Sequence, residues 1–464
     1  MALAGMSRRQ VVKGLSAAAA LTAGGGLQAA AGGEAGLPNI VFIMADDLGY
    51  ADLGCTGSRN AKTPHIDSLA QNGLLLTQGY ANSSICSPTR TALLSGCYQY
   101  RFAVGLEEPL GPGAPPDTGL PFERRTMPEV LRERGYETAL IGKWHLGNLP
   151  LQSPLAHGYD RFFGIEGGAA DYFRHRTVLG GRDMGTGLFE GNEEIQRVGY
   201  LTDIFGDEAV RSIRNKTKPL FLSLHFTAPH WPWEGREDEE VARQLRDFLH
   251  YDGGTLETYA NMIEAMDDNV GKVIAALREI GELDNSIIVF TSDNGGERFS
   301  DVWPFTGMKG ELLEGGIRVP ILFQWPARIS GGRTSDQVMV SMDFLPTFLA
   351  IAGGEVPTGE FDGANLSAQL LDRSAPVERT LCWRMNNNDQ AAIRQGDMKY
   401  LKLGGKEHLF NLAVDPRERA VLNEAQPEKM AELRLAWDEW NKQMLPYPLN
   451  SYSQDNKERM ADRY

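Results

Sequence analysis

The sequence predicts an α/β fold: a large, mostly parallel central sheet flanked by helices, with a small C-terminal antiparallel sheet plus helix. Three observations carry this. Four apolar runs, at 38–44, 136–142, 219–226 and 286–292, read as strands buried on both faces. Helical patterns separate them, as expected of parallel strands joined by crossovers. After about Leu371 short strands follow one another without long helices between them.

Taken in order, Thr63–Ala70 reads as a capped helix and Gly73–Thr77 as a strand. Cys86-Ser87-Pro88-Thr89-Arg90 opens the next helix: serine and proline suit a first turn, and Thr91-Ala92-Leu93-Leu94 continues it. The Gly/Pro-rich stretch 105–121 reads as loop. Thr126–Gly135 is a helix with start and stop signals, and the strand after it delivers Lys143-Trp144-His145. Residues 148–200 show no clear periodicity and read as an insertion lining a pocket or, equally, as a loop carrying a solvated charge cluster, with Arg174, His175 and Arg176 clustered in it. A long helix over 256–281 carries apolar residues at Met262, Ile263, Met266, Val270, Val273, Ile274 and Leu277. Ile321–Trp325 closes the strand series, and Met342–Ala352 adds a helix. The main domain is expected over 38–370. A small α+β domain follows over 371–450, with strands 379–384, 390–394, 398–403 and 408–412 and a helix over 426–443. A polar tail over 451–464 is expected to fray.

The 464 residues are ample for a sizeable core, and 42% hydrophobic with 23% charged residues is ordinary for a globular enzyme. A net charge of −15 argues against broad nucleic-acid binding, while leaving room for an anionic ligand in a locally basic cleft. Ser7-Arg8-Arg9-Gln10-Val11-Val12-Lys13, an Ala/Gly-rich run and Ala29-Ala30-Ala31 form a twin-arginine export signal over 1–31. This predicts passage through the twin-arginine export machinery to the periplasm or beyond. Its apolar run is short and broken by glycine, so no stable membrane insertion is expected. Residues 1–31 carry three basic and no acidic side chains, so the remainder has a charge of −18. The four cysteines, Cys55, Cys86, Cys97 and Cys382, have neither zinc-site spacing nor the density of a disulfide scaffold.

Chemistry gathers where strands end. Asp46-Asp47 follows the first run, and Asp293-Asn294 follows the fourth. Lys143 and His145, two apart on an extended segment, share a face. His230 lies just past the third run, and Lys309 stands in a Gly-rich segment that lets backbone approach closely. Ligands of open α/β sheets gather at this edge. Three carboxylates and an amide oxygen suit a hard divalent cation, Ca2+ better than Mg2+. One helical turn puts Cys86 and Arg90 on one face, at the positive end of the helix. Two lysines, two histidines and an arginine are what transfer of a tetrahedral oxyanion requires. His225, inside its strand, reads as structural. Trp231 and Trp233 read as packing residues, with stacking on a sugar ring the alternative.

On these residues the chain resembles a known family. Cys86-x-Pro88-x-Arg90-x-x-Leu93-x-x-Gly96 matches the sulfatase motif in full. Gly135-Tyr136-x-Thr138, then Gly142-Lys143-Trp144-His145, matches the second motif; Asp46-Asp47, Pro229-His230, Asp293-Asn294-Gly295 and Met308-Lys309-Gly310 follow the family order. The resemblance is to formylglycine-dependent sulfatases of the alkaline phosphatase superfamily, of the arylsulfatase and N-acetylgalactosamine-sulfatase kind. It runs from about Pro38 to the C-terminal helix.

The resemblance implies that a formylglycine-generating modification system oxidises Cys86 to an aldehyde, hydrated in the site. A thiolate attacking a sulfate ester would leave a stable adduct, whereas a geminal diol can attack with one hydroxyl and expel sulfate with the other. It further implies that Asp46, Asp47, Asp293, Asn294 and modified Cys86 hold the cation, and that Arg90 positions the diol. Lys143 and Lys309 would clamp sulfate, His230 would protonate the leaving alcohol, and His145 would take the proton in the step releasing sulfate. His65 stands where many relatives have asparagine, and Cys97 where many have arginine. The expected substrate is a sulfated carbohydrate or aryl sulfate. The alternatives are a phosphodiester or phosphonate monoester hydrolase using the same aldehyde, and a non-catalytic sulfated-glycan-binding protein.

Overall fold

A computed structural model describes residues 36–179, 182–183, 187–244 and 253–453. The expected export signal and residues 454–464 of the tail lie outside the described residues. The four apolar runs become β1 (Asn39–Ala45), β2 (Glu137–Lys143), β4 (Leu220–His225) and β5 (Ser286–Ser292), with β3 (Arg161–Ile165) beside them. The order β5-β1-β4-β2-β3 is parallel throughout. Antiparallel pairings extend both flanks, through Ile321–Gln324 and Leu74–Leu76 beyond β5 and through Leu188–Glu190 and Glu193–Ile195 beyond β3, and Arg333–Ser335 pairs parallel with Leu74–Leu76 at one edge, ten strands among the described residues.

Alternation along β1 shows why the runs are continuous. Val41, Ile43 and Ala45 pack into one core layer, with Phe205 and Ala209 of the helix Leu201–Asn215 and Met266 and Val270 of the helix Leu256–Glu279. Ile40, Phe42 and Met44 pack into the opposite layer with Phe344 and Phe348. Both faces are buried, so no polar side is needed. Register then fixes function: Met44 lies opposite His225, Ala45 opposite Ser292, and His225 opposite Gly142. The strands therefore end level, and whatever follows them in sequence meets at one edge.

The stretch 148–200 is not one irregular insertion. Arg161–Ile165 joins the parallel sheet and Leu188–Glu190 extends it, and the helix Leu201–Asn215 went unanticipated. The Arg174–Arg176 cluster is tied down locally: Arg174 pairs with Asp171, Arg176 with Glu194, and His175 Nε2 lies 2.9 Å from Gly199 O.

The C-terminal strands β6 (Thr380–Met385), β7 (Gln390–Gln395), β8 (Met398–Leu403) and β9 (Lys406–Asn411) form an antiparallel meander, followed by the helix Pro427–Asn441. From Leu37 onward the chain clusters as one compact unit. Trp383 Nε1 donates to Ala81 O (2.9 Å), and Tyr100 Oη donates to Arg384 O (2.7 Å). The start of the tail pairs with the 107–111 segment: Gly111 N donates to Tyr452 O (2.9 Å), and Ser453 Oγ accepts from Glu108 N (2.7 Å). Backbone pairing with 107–111 holds residues that polar composition alone would release.

Candidate active site

The helix α1 (Cys86–Ser95) starts at the cysteine itself, after the extended Ile85, and ends at Gly96 in the left-handed region (φ 65°) with its N–H on Ala92 O. A side chain would be strained at that φ, so glycine fits the stop. Every residue of α1 is buried. Arg124 Nε and Nη2 donate to Ser95 O at 3.1 and 2.6 Å. A cation from elsewhere thus meets the end of the helix beside Cys97.

Asp46 and Asp47 follow β1, Asp293 and Asn294 follow β5, Lys143 ends β2, and His230 follows β4. All of them are buried. Arg90 grips Asp293 Oδ2 through Nε (3.1 Å) and Nη2 (2.8 Å) and donates from Nη1 to Lys143 O (3.1 Å). Lys143 Nζ donates to Asp46 Oδ2 and Lys309 Nζ to Asp47 Oδ2, each at 2.6 Å. Asn294 Nδ2 donates to Asp47 Oδ1 (2.7 Å), and His230 Nε2 stands 3.5 Å from Asp47 Oδ2. All ten expected site residues except His145 are linked by these contacts or by the short distance of Cys86 from Asp46 and Asp293.

His145 enters through a backbone group. Its Nε2 donates to Leu110 O at 2.9 Å, which leaves Nδ1 as the lone-pair nitrogen, buried and without a protein partner. Leu110 N donates to Ser87 Oγ (2.8 Å), so the same residue touches α1 and the histidine. His225, expected to be structural, lies with Nδ1 3.4 Å from Arg90 Nη1 and 3.3 Å from Lys143 O. Trp233 is packed away at 4% exposure, whereas Trp231 is half-buried, with Nε1 donating to Glu297 (2.7 Å) and its ring 5.8 Å from Lys309 Nζ.

Electrostatics separates the two aspartates. Burial and the Asp293 charge push Asp46 well above the usual carboxylate range. Burial also works against ionisation of Asp47, but Lys309, His230 and Lys143 bring it down to about 2. Burial, with Lys143 for His145 and Lys309 for His230, holds both imidazoles well below their ordinary value. Burial raises the Cys86 thiol, so the unmodified side chain is not a ready thiolate.

Two buried oxygens, Asp46 Oδ1 and Asn294 Oδ1, accept no hydrogen bond from the protein. Ligand atoms of Asp46, Cys86 and Asp293 lie within 4.8 Å of one another, as do those of Asp46, Asp47 and His230. Oxygens of this kind left open in a dry site fit a hard divalent cation.

Sequence reasoning missed the groups that hold this edge in place. Asp52, pushed up to about 7 by burial, accepts from Gly49 N (2.8 Å), Tyr259 Oη (2.7 Å) and Asp301 N (2.8 Å). Ser292 Oγ accepts from Leu48 N (3.1 Å) and donates to Asn294 O (2.9 Å). Asp52 lay in view five residues after Asp47, but the Leu110 carbonyl has no side-chain signal at all.

A family model described as Sulfatase matches residues 38–354. The chain belongs to the sulfatase family. It is a sulfuric ester hydrolase, like the relatives it matches. Human arylsulfatase A is 33% identical, the match covering 78% of this chain and 74% of that protein. N-acetylgalactosamine-6-sulfatase of Mus musculus is 32% identical, covering 72% and 68%. Among solved structures, Ps i-CgsB in complex with k-i-k-neocarrahexaose is 31% identical with a TM-score of 0.82, covering 90% of this sulfatase and 95% of that chain.

Proposed function

We propose that this sulfatase removes sulfate from a sulfated carbohydrate, using formylglycine made from Cys86 and one bound Ca2+. The observation that supports this best is the set of buried oxygens left without partners, Asp46 Oδ1 and Asn294 Oδ1, beside Cys86 at the start of α1. Asp46, Asp47, Asp293, Asn294 and position 86 would hold the cation, which when bound would supply Lewis acidity toward a sulfate oxygen and charge for an ionised hydroxyl. The hydrated aldehyde supplies the attacking oxygen.

The chain's own residues do the rest. Arg90, fixed by Asp293, orients position 86 one turn away. Lys143 and Lys309, paired here with Asp46 and Asp47, would be free to hold the sulfate oxygens if those carboxylates served as metal ligands. His230, at Nε2, gives a proton to the leaving alcohol. The ester's negative charge opposes the burial and the Lys309 charge that together depress its imidazolium. His145 takes a proton at Nδ1, the nitrogen left bare by the Leu110 contact, in the step that frees sulfate. We further propose twin-arginine export from 1–31, after a formylglycine-generating system has acted on Cys86, and a main domain over 38–370 with a smaller one over 371–450. Among the described residues no helix is long and apolar enough to cross a membrane.

The test is a panel of sulfated mono- and oligosaccharides, aryl sulfates, phosphodiesters and phosphonate monoesters. A sulfated sugar is expected to give the highest kcat/KM. A phosphodiester or phosphonate ester in that place would make it an ester hydrolase of the alternative kind, and binding without turnover would make it a glycan-binding protein.

A further inference from the structure

Lys309 sits in a segment with few hydrogen bonds of its own, Glu311 N to Met308 O (3.0 Å) and Gly315 N to Thr306 O (2.7 Å) among them. Gly307 (φ 94°) and Gly310 (φ 84°) both take left-handed conformations, and glycine-rich backbone is costly to order. What orders it comes largely from the C-terminal sheet. Gln390, at the start of β7 and 2% exposed, donates from Nε2 to Gly310 O (2.8 Å) and accepts at Oε1 from Leu312 N (2.9 Å). Lys399 Nζ of β8 donates to Leu312 O (2.8 Å). On the other side Gly310 N donates to Ser84 O, two residues before Cys86, and Lys309 N donates to Gly296 O, both at 3.0 Å. One carboxamide thus splints the backbone immediately after Lys309 and ties it to a different sheet.

From this geometry we infer that Gln390 is a positioning residue: through the Gly310 and Leu312 backbone it sets where the Lys309 ammonium stands, so the C-terminal sheet takes part in catalysis. The inference rests on the sulfate-clamping role proposed for Lys309. Side chains alternate along β7, so Gln390 and Arg394 face the main sheet's side while Ile393 faces away. Ile393 is therefore a matched control in the same strand.

The test is a double-mutant cycle on 4-nitrophenyl sulfate, with aldehyde content at position 86 measured for each protein. Gln390→Met keeps the side chain's length and loses the hydrogen bonds to Gly310 and Leu312, along with those from Nε2 to Asn387 O (3.0 Å) and Met385 Sδ (3.5 Å) within its own sheet. It is expected to lower kcat/KM about ten-fold, mainly through kcat. Lys309→Ala is expected to lose about 100-fold or more. The double variant is expected to match Lys309→Ala within about two-fold, because the splint has nothing left to position. Ile393→Val is expected to keep parental activity at a comparable loss of Tm. Losses that multiply, or a Gln390→Met variant within about two-fold of the parent, would overturn the inference while leaving the Lys309 role standing. Parental activity in Lys309→Ala would instead overturn the Lys309 role, and the inference with it. Should Gln390→Met not fold, Gln390→Asn, one methylene shorter, enters the same cycle with the same expectations.

Discussion

Around Asp46 and around Glu314 the chain buries charge to similar depth, but it completes the two clusters differently. Glu314 Oε1 faces Lys399 at 2.9 Å, and its Oε2 faces Tyr80 Oη at 2.7 Å and Arg318 Nε at 2.8 Å. Lys399 also lies 2.8 Å from Glu418 Oε1, and Glu418 Oε2 accepts from Glu314 N (2.6 Å); burial pushes Glu418 up to about 7, but both its oxygens face protein partners. Burial opposes the Glu314 charge, yet Lys399, Arg318 and Arg394 hold the carboxyl far below its ordinary value. At Asp46 one oxygen is met by Lys143 and the other by nothing, and the carboxyl is pushed up instead. Buried charge alone therefore does not mark a site. A closed cluster is scaffold that fastens the C-terminal sheet to the loop after Lys309, whereas an open one has room for a ligand.

The largest effect is expected where the open cluster is emptied. Asp293→Ala removes a proposed ligand and both hydrogen bonds that Asp293 accepts from Arg90. Activity is expected to fall about 100- to 1,000-fold, with bound divalent metal dropping below one per chain by elemental analysis. Full metal content with full activity would contradict the cation assignment.

Removing a part of the closed cluster that hydrogen-bonds away from the 309–312 backbone should move stability and not chemistry. Arg394 donates to Tyr80 Oη (2.6 Å) and Gly396 O (2.8 Å). Arg394→Met is expected to cost about 2 kcal/mol in denaturant unfolding, with metal content unchanged and kcat per folded molecule within about two-fold of the parent. Loss of metal would show that the two clusters are not separable.

A smaller effect concerns a buried carboxyl in neither cluster. Burial pushes Glu108 up to about 7, against hydrogen bonds from Tyr447 Oη (2.6 Å) and Asn386 N (2.9 Å). Its folded value lies above the ordinary one near 4.5, so the folded state binds the proton more tightly, and this group's stabilisation is lost as pH rises from about 4.5 to about 7. The Tm of the parent minus that of Glu108→Gln is expected to shrink between about pH 5 and pH 7.5. A difference independent of pH would contradict the assignment.

The same contrast explains what could be read from the residues. The edge at β1, β2, β4 and β5 was legible because strands buried on both faces are continuous apolar runs, and polar residues abruptly follow them. Arg161–Ile165 was not, because a five-residue run broken by Gly164 acquires its identity from pairing with β2. The open cluster was legible because aspartate pairs, lysines and histidines are conspicuous in sequence. The groups that hold it are not: the Leu110 carbonyl that sets the His145 tautomer and the Gln390 amide that grips Gly310 act across long sequence separations. Nothing local in either residue announces that partnership.

The central claim is that position 86 works as an aldehyde and not as a thiol. Peptide mass spectrometry across Cys86, on active enzyme from its native host, tests it most directly. Formylglycine in proportion to specific activity is expected, together with complete loss of turnover and an unchanged fold in Cys86→Ala. Quantitative free thiol at Cys86 in fully active enzyme would contradict it.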